Sequence, residues 1–185
     1  MRILRLNPAG FPLAWLTKEE AATVWAKGHV LWVLGDKSFE IVGGVNRNGQ
    51  RSRITLPLII ASVGEVRRQH QHTPLISNRL LFRRDRNICL YCGIKYADAA
   101  LTRDHVVARS RGGRDAWTNL ATACRRCNQR KGCRTPEEAG MPLLAVPFAP
   151  NRMEMFALSN RYILADQMAY LESGFSQHMR SLRLN

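Results

Sequence analysis

The chain has 185 residues, 45% of them hydrophobic, and 28 Lys/Arg against 14 Asp/Glu give a net charge of +14. That is length for one compact domain or two small ones, with apolar content ordinary for a soluble chain that buries a core. Nothing resembles a signal peptide, because Asn7-Pro8-Ala9-Gly10 interrupts the first apolar run, and no apolar stretch approaches the roughly 18–20 residues of a membrane span. The five cysteines are therefore expected in a reducing, cytoplasmic setting, binding metal and not oxidising.

In chain order, Arg2 to Leu6 reads as a short strand ended by Asn7-Pro8. Thr17-Lys-Glu-Glu20 is a capping-box sequence, so a helix is expected over 18–27, stopped by Gly28. Ala21, Val24 and Trp25 share its apolar face. Strands are expected at 29–34 and 38–42, joined by Gly35-Asp36-Lys37 as a hairpin turn. A loop follows to Gln50, then a strand near 53–56, Pro57 and a buried apolar run at 58–61. This leader holds no ligand cluster, and Trp15, Trp25 and Trp32 are expected in its core, with DNA stacking as the alternative. Residues 64–78 read as a polar linker. Its His70 and His72 have no acidic or Cys partner nearby and are expected to be solvated. Arg79 to Arg86 adds four arginines; if helical, the run would turn a basic face to a phosphate backbone.

The chemistry is concentrated in residues 89–131. Two Cys-x-x-Cys knuckles, Cys89/Cys92 and Cys124/Cys127, are separated by 31 residues. Four thiolates so arranged suit a tetrahedral structural zinc with no position open to water. Cys133 lies outside the spacing and is expected to be a small packed side chain. Interleaved with the knuckles are Arg103-Asp104-His105-Val106-Val107, Ser110-Arg-Gly-Gly113, Trp117-Thr-Asn119-Leu120 and Asn128-Gln-Arg-Lys131. Asp104 offers a carboxylate and Asn128 an amide carbonyl, hard oxygen ligands that favour Mg²⁺ or Mn²⁺ with water and phosphate completing the shell. Adjacent strand residues face opposite sides, so Asp104 and His105 could both reach one phosphate only where the strand end twists or bulges. Asp104→Ala is expected to leave the chain folded.

The charge coincides with these motifs. Residues 79–134 hold 14 Lys/Arg against Asp85, Asp98, Asp104 and Asp115, a net +10, while the remaining 14 basic and 10 acidic residues supply +4. A basic block at the chemistry implies a polyanionic partner, nucleic acid above all; a basic solvated surface is the bland alternative. Arg103, Arg109, Arg111, Arg126, Arg130 and Lys131 are the expected phosphate contacts. Gly112-Gly113 lets the loop turn tightly.

In this order the pieces resemble an HNH nuclease module over about residues 79–142: Cys-x-x-Cys-Gly, Asp-His-Val-Val, Ser-Arg-Gly-Gly, Trp-x-Asn-Leu and Cys-Arg-Arg-Cys-Asn-x-x-Lys-Gly. The stretch before it resembles, more loosely, the leader of stand-alone bacterial HNH proteins. The resemblance implies a DNA endonuclease with a ββα-metal site stapled by a four-cysteine zinc. In it, Asp104 and Asn128 would hold the catalytic ion and His105 would deprotonate the attacking water. Asn119 would fix the His105 ring by accepting a hydrogen bond, and the ends left would be 3′-hydroxyl and 5′-phosphate. Where some relatives carry histidine in the last position, this chain has Asn128. Two alternatives stay open, a non-catalytic zinc-ribbon DNA-binding module and an RNA nuclease, although no RRM or KH pattern is visible.

Beyond the module, Thr135-Pro-Glu-Glu138 should start a short helix that Gly140 ends, and Pro142, Pro147 and Pro150 should extend the chain. From Ser159, the spacing of Leu164, Met168, Leu171, Phe175 and Met179 predicts an amphipathic helix, packed on the core or making a homodimer contact. The expected class is α+β: a small N-terminal α/β layer (1–75, with linker), the zinc-stapled HNH module (76–142) and a C-terminal extension with a helix (143–185).

Overall fold

The computed structural model describes residues 1–64 and 75–181. Most of the linker read at 64–78, with His70 and His72, lies outside the described residues. The strands are β1 (Ile3–Leu6), β2 (Pro12–Leu16), β3 (Val30–Val45), β4 (Arg51–Ser62), β5 (Leu101–His105) and β6 (Leu120–Cys124). The helices are α1 (Lys18–Ala26), α2 (Asn78–Arg84), α3 (Arg125–Lys131), α4 (Arg152–Ser159), α5 (Ala165–Ser173) and α6 (Gln177–Ser181). This is an α+β chain in two compact units, Met1–His72 with Asn160–Gly174, and Thr73–Ser159 with Phe175–Asn185. No helix among the described residues is long and apolar enough to cross a membrane.

The first unit is built on a sheet of order β2-β1-β4-β3, antiparallel except where β1 runs beside β4. The inner strand β4 therefore carries the continuous apolar run, and Leu56, Leu58, Ile59, Ile60 and Ala61 are all buried. α1 begins where its capping box requires: Thr17 Oγ1 accepts the Glu20 N–H at 3.2 Å, and the Glu20 carboxylate accepts the Thr17 N–H at 2.7 Å. The helix packs Ala21 against Ile3, Leu16, Leu56 and Ile60. α5 belongs to this unit. Its buried Gln167 donates from Nε2 to the carbonyls of Arg2 and Leu58, both at 2.9 Å.

No hairpin turn forms at 35–37. β3 continues through it, and a register shift between Leu34 and Ser38 absorbs Gly35 at φ 84°. The reversal sits at 46–50 instead. There Asn46 Oδ1 accepts the N–H groups of Asn48 and Gln50, both at 2.9 Å, and Gly49 takes φ 77°. A side-chain-locked turn ending in a left-handed glycine outcompetes a bare Gly-Asp-Lys. Pro57 then falls inside β4 opposite Ser38, at that irregularity, where a missing N–H costs least. The tryptophans of this unit are marginal and not core. Trp25 is 37% exposed, and Trp32 gives its Nε1–H to the Pro8 carbonyl.

In the second unit β5 and β6 pair antiparallel, Leu101 opposite Cys124 and His105 opposite Leu120, and α3 follows β6 without a loop. Arg84 is the keystone. It ends α2 wholly buried, donating to both Asp85 oxygens (2.7 and 3.0 Å) and to the carbonyls of Trp117, Phe148 and Leu120 (2.7–2.9 Å). Asp85 in turn accepts the Thr122 N–H at 2.9 Å, so the pair fixes β6. The run 79–86, if helical, was expected to turn a basic face to phosphate, but every donor of Arg84 is used inside the protein. Arg84→Ala would strand a buried carboxylate and should cost about 3–5 kcal/mol. Denaturant unfolding measures this, and an unchanged midpoint would contradict the keystone role.

Past the module, Thr135 and Glu138 do exchange capping-box bonds, but only a hydrogen-bonded turn forms and Gly140 closes it. The proline segment 141–150 carries no helix or strand, and α4 follows it. The apolar run from Ser159 is divided at Gly174 into α5 and α6. Leu171, Phe175 and Met179 are buried, so these positions give a second copy no exposed stripe.

Candidate metal centre and active site

Two knuckles meet across β6. Cys89 and Cys92 sit on a turn in which Gly93 takes φ 75° and its N–H donates to the Cys89 carbonyl at 2.9 Å. Cys124 ends β6 and caps α3, its Sγ accepting the Cys127 N–H at 3.4 Å. The four sulfurs lie within 4.8 Å of one another, and Cys89, Cys124 and Cys127 are buried. All are free thiols. Burial pushes the Cys89 and Cys127 thiols up. Burial acts on Cys124 in the same sense, but the Cys127 N–H and the Tyr96 hydroxyl outweigh it and hold that thiol down to about 7. Packed thiols that resist ionising alone become thiolates once a cation sits among them. The cluster could hold a structural metal such as zinc. Cys133 stands apart and is exposed, not packed.

α3 lies along β5, held by two side chains one turn apart. Asn128 Nδ2 donates to Thr102 Oγ1 at 2.9 Å and to the Arg103 carbonyl at 3.3 Å, leaving its carbonyl oxygen as the potential ligand atom. Lys131, fully buried, donates from Nζ to Asp104 Oδ1 at 3.1 Å and to the His105 carbonyl at 2.8 Å. Lys131 was expected on phosphate. Its ammonium instead neutralises Asp104, which is 4% exposed. Tyr91 gives its hydroxyl proton to Asp104 Oδ2 at 2.5 Å. Burial first, then the carboxylate, pushes that phenol up, so it stays a donor. Each carboxylate oxygen keeps a second acceptor site, and a carboxylate with an amide carbonyl fits a hard divalent ion. An ion at Asp104 would share the carboxylate with Lys131 or displace it.

His105, the last residue of β5, turns its ring elsewhere. Nε2 meets Asp115 Oδ1 at 2.6 Å, and no hydrogen bond joins the ring to Asp104, Asn128 or Asn119 among the described residues. The expected Asn119 bond to the ring is replaced by a loop staple. Asn119 Oδ1 accepts the Val107 N–H (2.9 Å), and Nδ2 donates to the carbonyls of Val107 (3.1 Å) and Arg114 (3.0 Å). The glycines finish the loop: Gly112 takes φ 83°, and a Cβ on Gly113 would meet the Val107 carbonyl oxygen at 1.7 Å.

The expected phosphate contacts divide. Arg109, Arg126 and Arg130 are exposed, the last two on one face of α3. Arg111 is exposed but bonded to both Glu138 oxygens, at 2.8 and 2.6 Å. Arg103 is turned inward, its side chain 23% exposed and donating to Asn78 Oδ1 at 2.9 Å and the Ile76 carbonyl at 3.3 Å. Sequence reasoning missed Tyr91 and Tyr96, whose only advance signal is their place around the first knuckle, and Asp115.

Residues 89–144 match the family model described as HNH endonuclease. No curated protein matches the chain.

Proposed function

We propose, from the match of residues 89–144 to the family model described as HNH endonuclease, that the protein is a metal-dependent DNA endonuclease of a reducing, cytoplasmic setting. The observation that carries the reading is the four-thiol cluster lying against a β5–β6–α3 unit that bears Asp104, His105 and Asn128. Cys89, Cys92, Cys124 and Cys127 would hold a structural zinc that fixes α3 and with it Asn128. Asp104 and Asn128 would hold an exchangeable Mg²⁺ or Mn²⁺, which would stabilise charge on the scissile phosphate and the departing oxygen. His105 takes a proton from water as its oxygen attacks phosphorus; the bond to the 3′ oxygen breaks and the departing alkoxide takes a proton from solvent, leaving 3′-hydroxyl and 5′-phosphate ends. Arg109, Arg126 and Arg130 hold the DNA backbone.

The Lys131 ammonium on Asp104 favours a second reading, a zinc-stapled DNA-binding module without catalysis. Plasmid and labelled DNA and RNA duplexes, incubated with Mg²⁺ or Mn²⁺, separate the two. Nicked DNA whose ends a ligase reseals is expected. Shifted but uncut DNA favours the second reading, and cleavage confined to RNA contradicts the assigned substrate.

A further inference from the structure

Beyond the residues assigned so far, we propose that Asp115 positions the base: it holds the His105 ring with the proton on Nε2, so that Nδ1 takes the proton of the attacking water. This rests on the nuclease reading of the same site. The contact is short, 2.6 Å from Nε2 to Asp115 Oδ1. The hydrogen bond to His105, with the guanidinium groups of Arg103 and Arg109 nearby, holds the Asp115 carboxyl below its ordinary range. An ionised carboxylate can only accept, so Nε2 is the donor, and in the neutral ring the lone pair is then at Nδ1.

The surroundings are built to keep this geometry. Arg103 and His105, two residues apart on β5, share a strand face, and Asp115 also lies 3.8 Å from Arg103 Nη1. Arg103 is anchored by Asn78 and the Ile76 carbonyl. The Asn119 amide pins the carbonyl of Arg114, the residue before Asp115. Asn119 thus acts on the ring through the loop. Arg103 and Asp115 line a cleft of about 510 Å³ whose other walls include Ile76, Ala116 and Ala149. A half-exposed carboxylate there repels a phosphate backbone, an adverse placement unless the charge serves another purpose. Opposing the imidazolium formed as Nδ1 gains its proton is such a purpose.

Long-range ¹H–¹⁵N spectra of the full chain with its metal retained report which ring nitrogen carries the proton. The Nε2–H form is expected for His105, and a mixture of both forms in Asp115→Ala. Asp115→Ala should lower kcat about 10- to 100-fold, less than loss of the base itself. KM for DNA should not rise, because a negative charge leaves the cleft. Asp115→Asn, which keeps an acceptor oxygen but not the charge, should restore the Nε2–H form and only part of the rate. A parent spectrum showing the Nδ1–H form, or Asp115→Ala turning over at the parental rate, overturns the proposal. The spectra need no activity, so they report on the Asp115–His105 contact even if the chain cuts nothing. Cleavage undiminished in Asp115→Ala would refute this role and leave the nuclease reading standing.

Discussion

Cys124→Ser should abolish the folded second unit. Cys124 is the last residue of β6, the N-cap of α3 and one of the four clustered thiols. Serine can still cap α3, so the substitution acts by removing one of the four metal-ligand sulfurs. Structural zinc sites contribute about 10–16 kcal/mol of binding free energy, as much as the whole net stability of about 5–15 kcal/mol of a typical domain. The variant is expected to carry no zinc, to be cut rapidly within 89–131 by added protease, and to lose the cooperative melt of that unit. A soluble, cooperatively melting Cys124→Ser chain without bound zinc would contradict the clamp.

His105→Ala should do the reverse, leaving the fold and removing the activity. The ring is 17% exposed at the end of β5, and its bond is to a half-exposed Asp115, so truncation leaves no buried charge behind. General-base catalysis contributes about 10²–10⁴-fold, and cleavage should fall by that factor. DNA affinity should hold, since the exposed arginines of α3 and the loop are untouched. Parental cleavage by His105→Ala would remove the base from the account. Asp104→Ala, first expected to be as benign, is not a clean companion variant. It would leave Lys131 buried without its anion and should cost about 3–5 kcal/mol in folding. Asp104→Asn, which keeps the shape and an acceptor oxygen, is the better one, and comparing the thermal midpoints of the two tests the point.

What the sequence disclosed follows physical locality. The knuckles and the Thr17–Glu20 box were legible because in each the partners are three residues apart and share one turn. Arg84 and Lys131 were not legible as buried groups. A cation counts the same in a charge tally whether it faces DNA or a carboxylate, and their partners lie in elements far along the chain. Asp115 was hidden for a similar reason: an acid in a Gly-Gly-Arg-Asp loop looks like loop composition until the fold sets it beside His105. The alternation along β5 was readable, and its consequence holds: Asp104 engages α3 while the His105 ring faces the loop.

Zinc content and plasmid nicking, measured on one chelator-treated sample as Mg²⁺ or Mn²⁺ is returned, probe the two metal roles together. The expected result is zinc that survives mild chelation while nicking stops, with nicking returning as the exchangeable ion is added. Nicking that ignores Mg²⁺ and Mn²⁺, or intact plasmid under every divalent ion tried, would contradict a zinc-clamped nuclease.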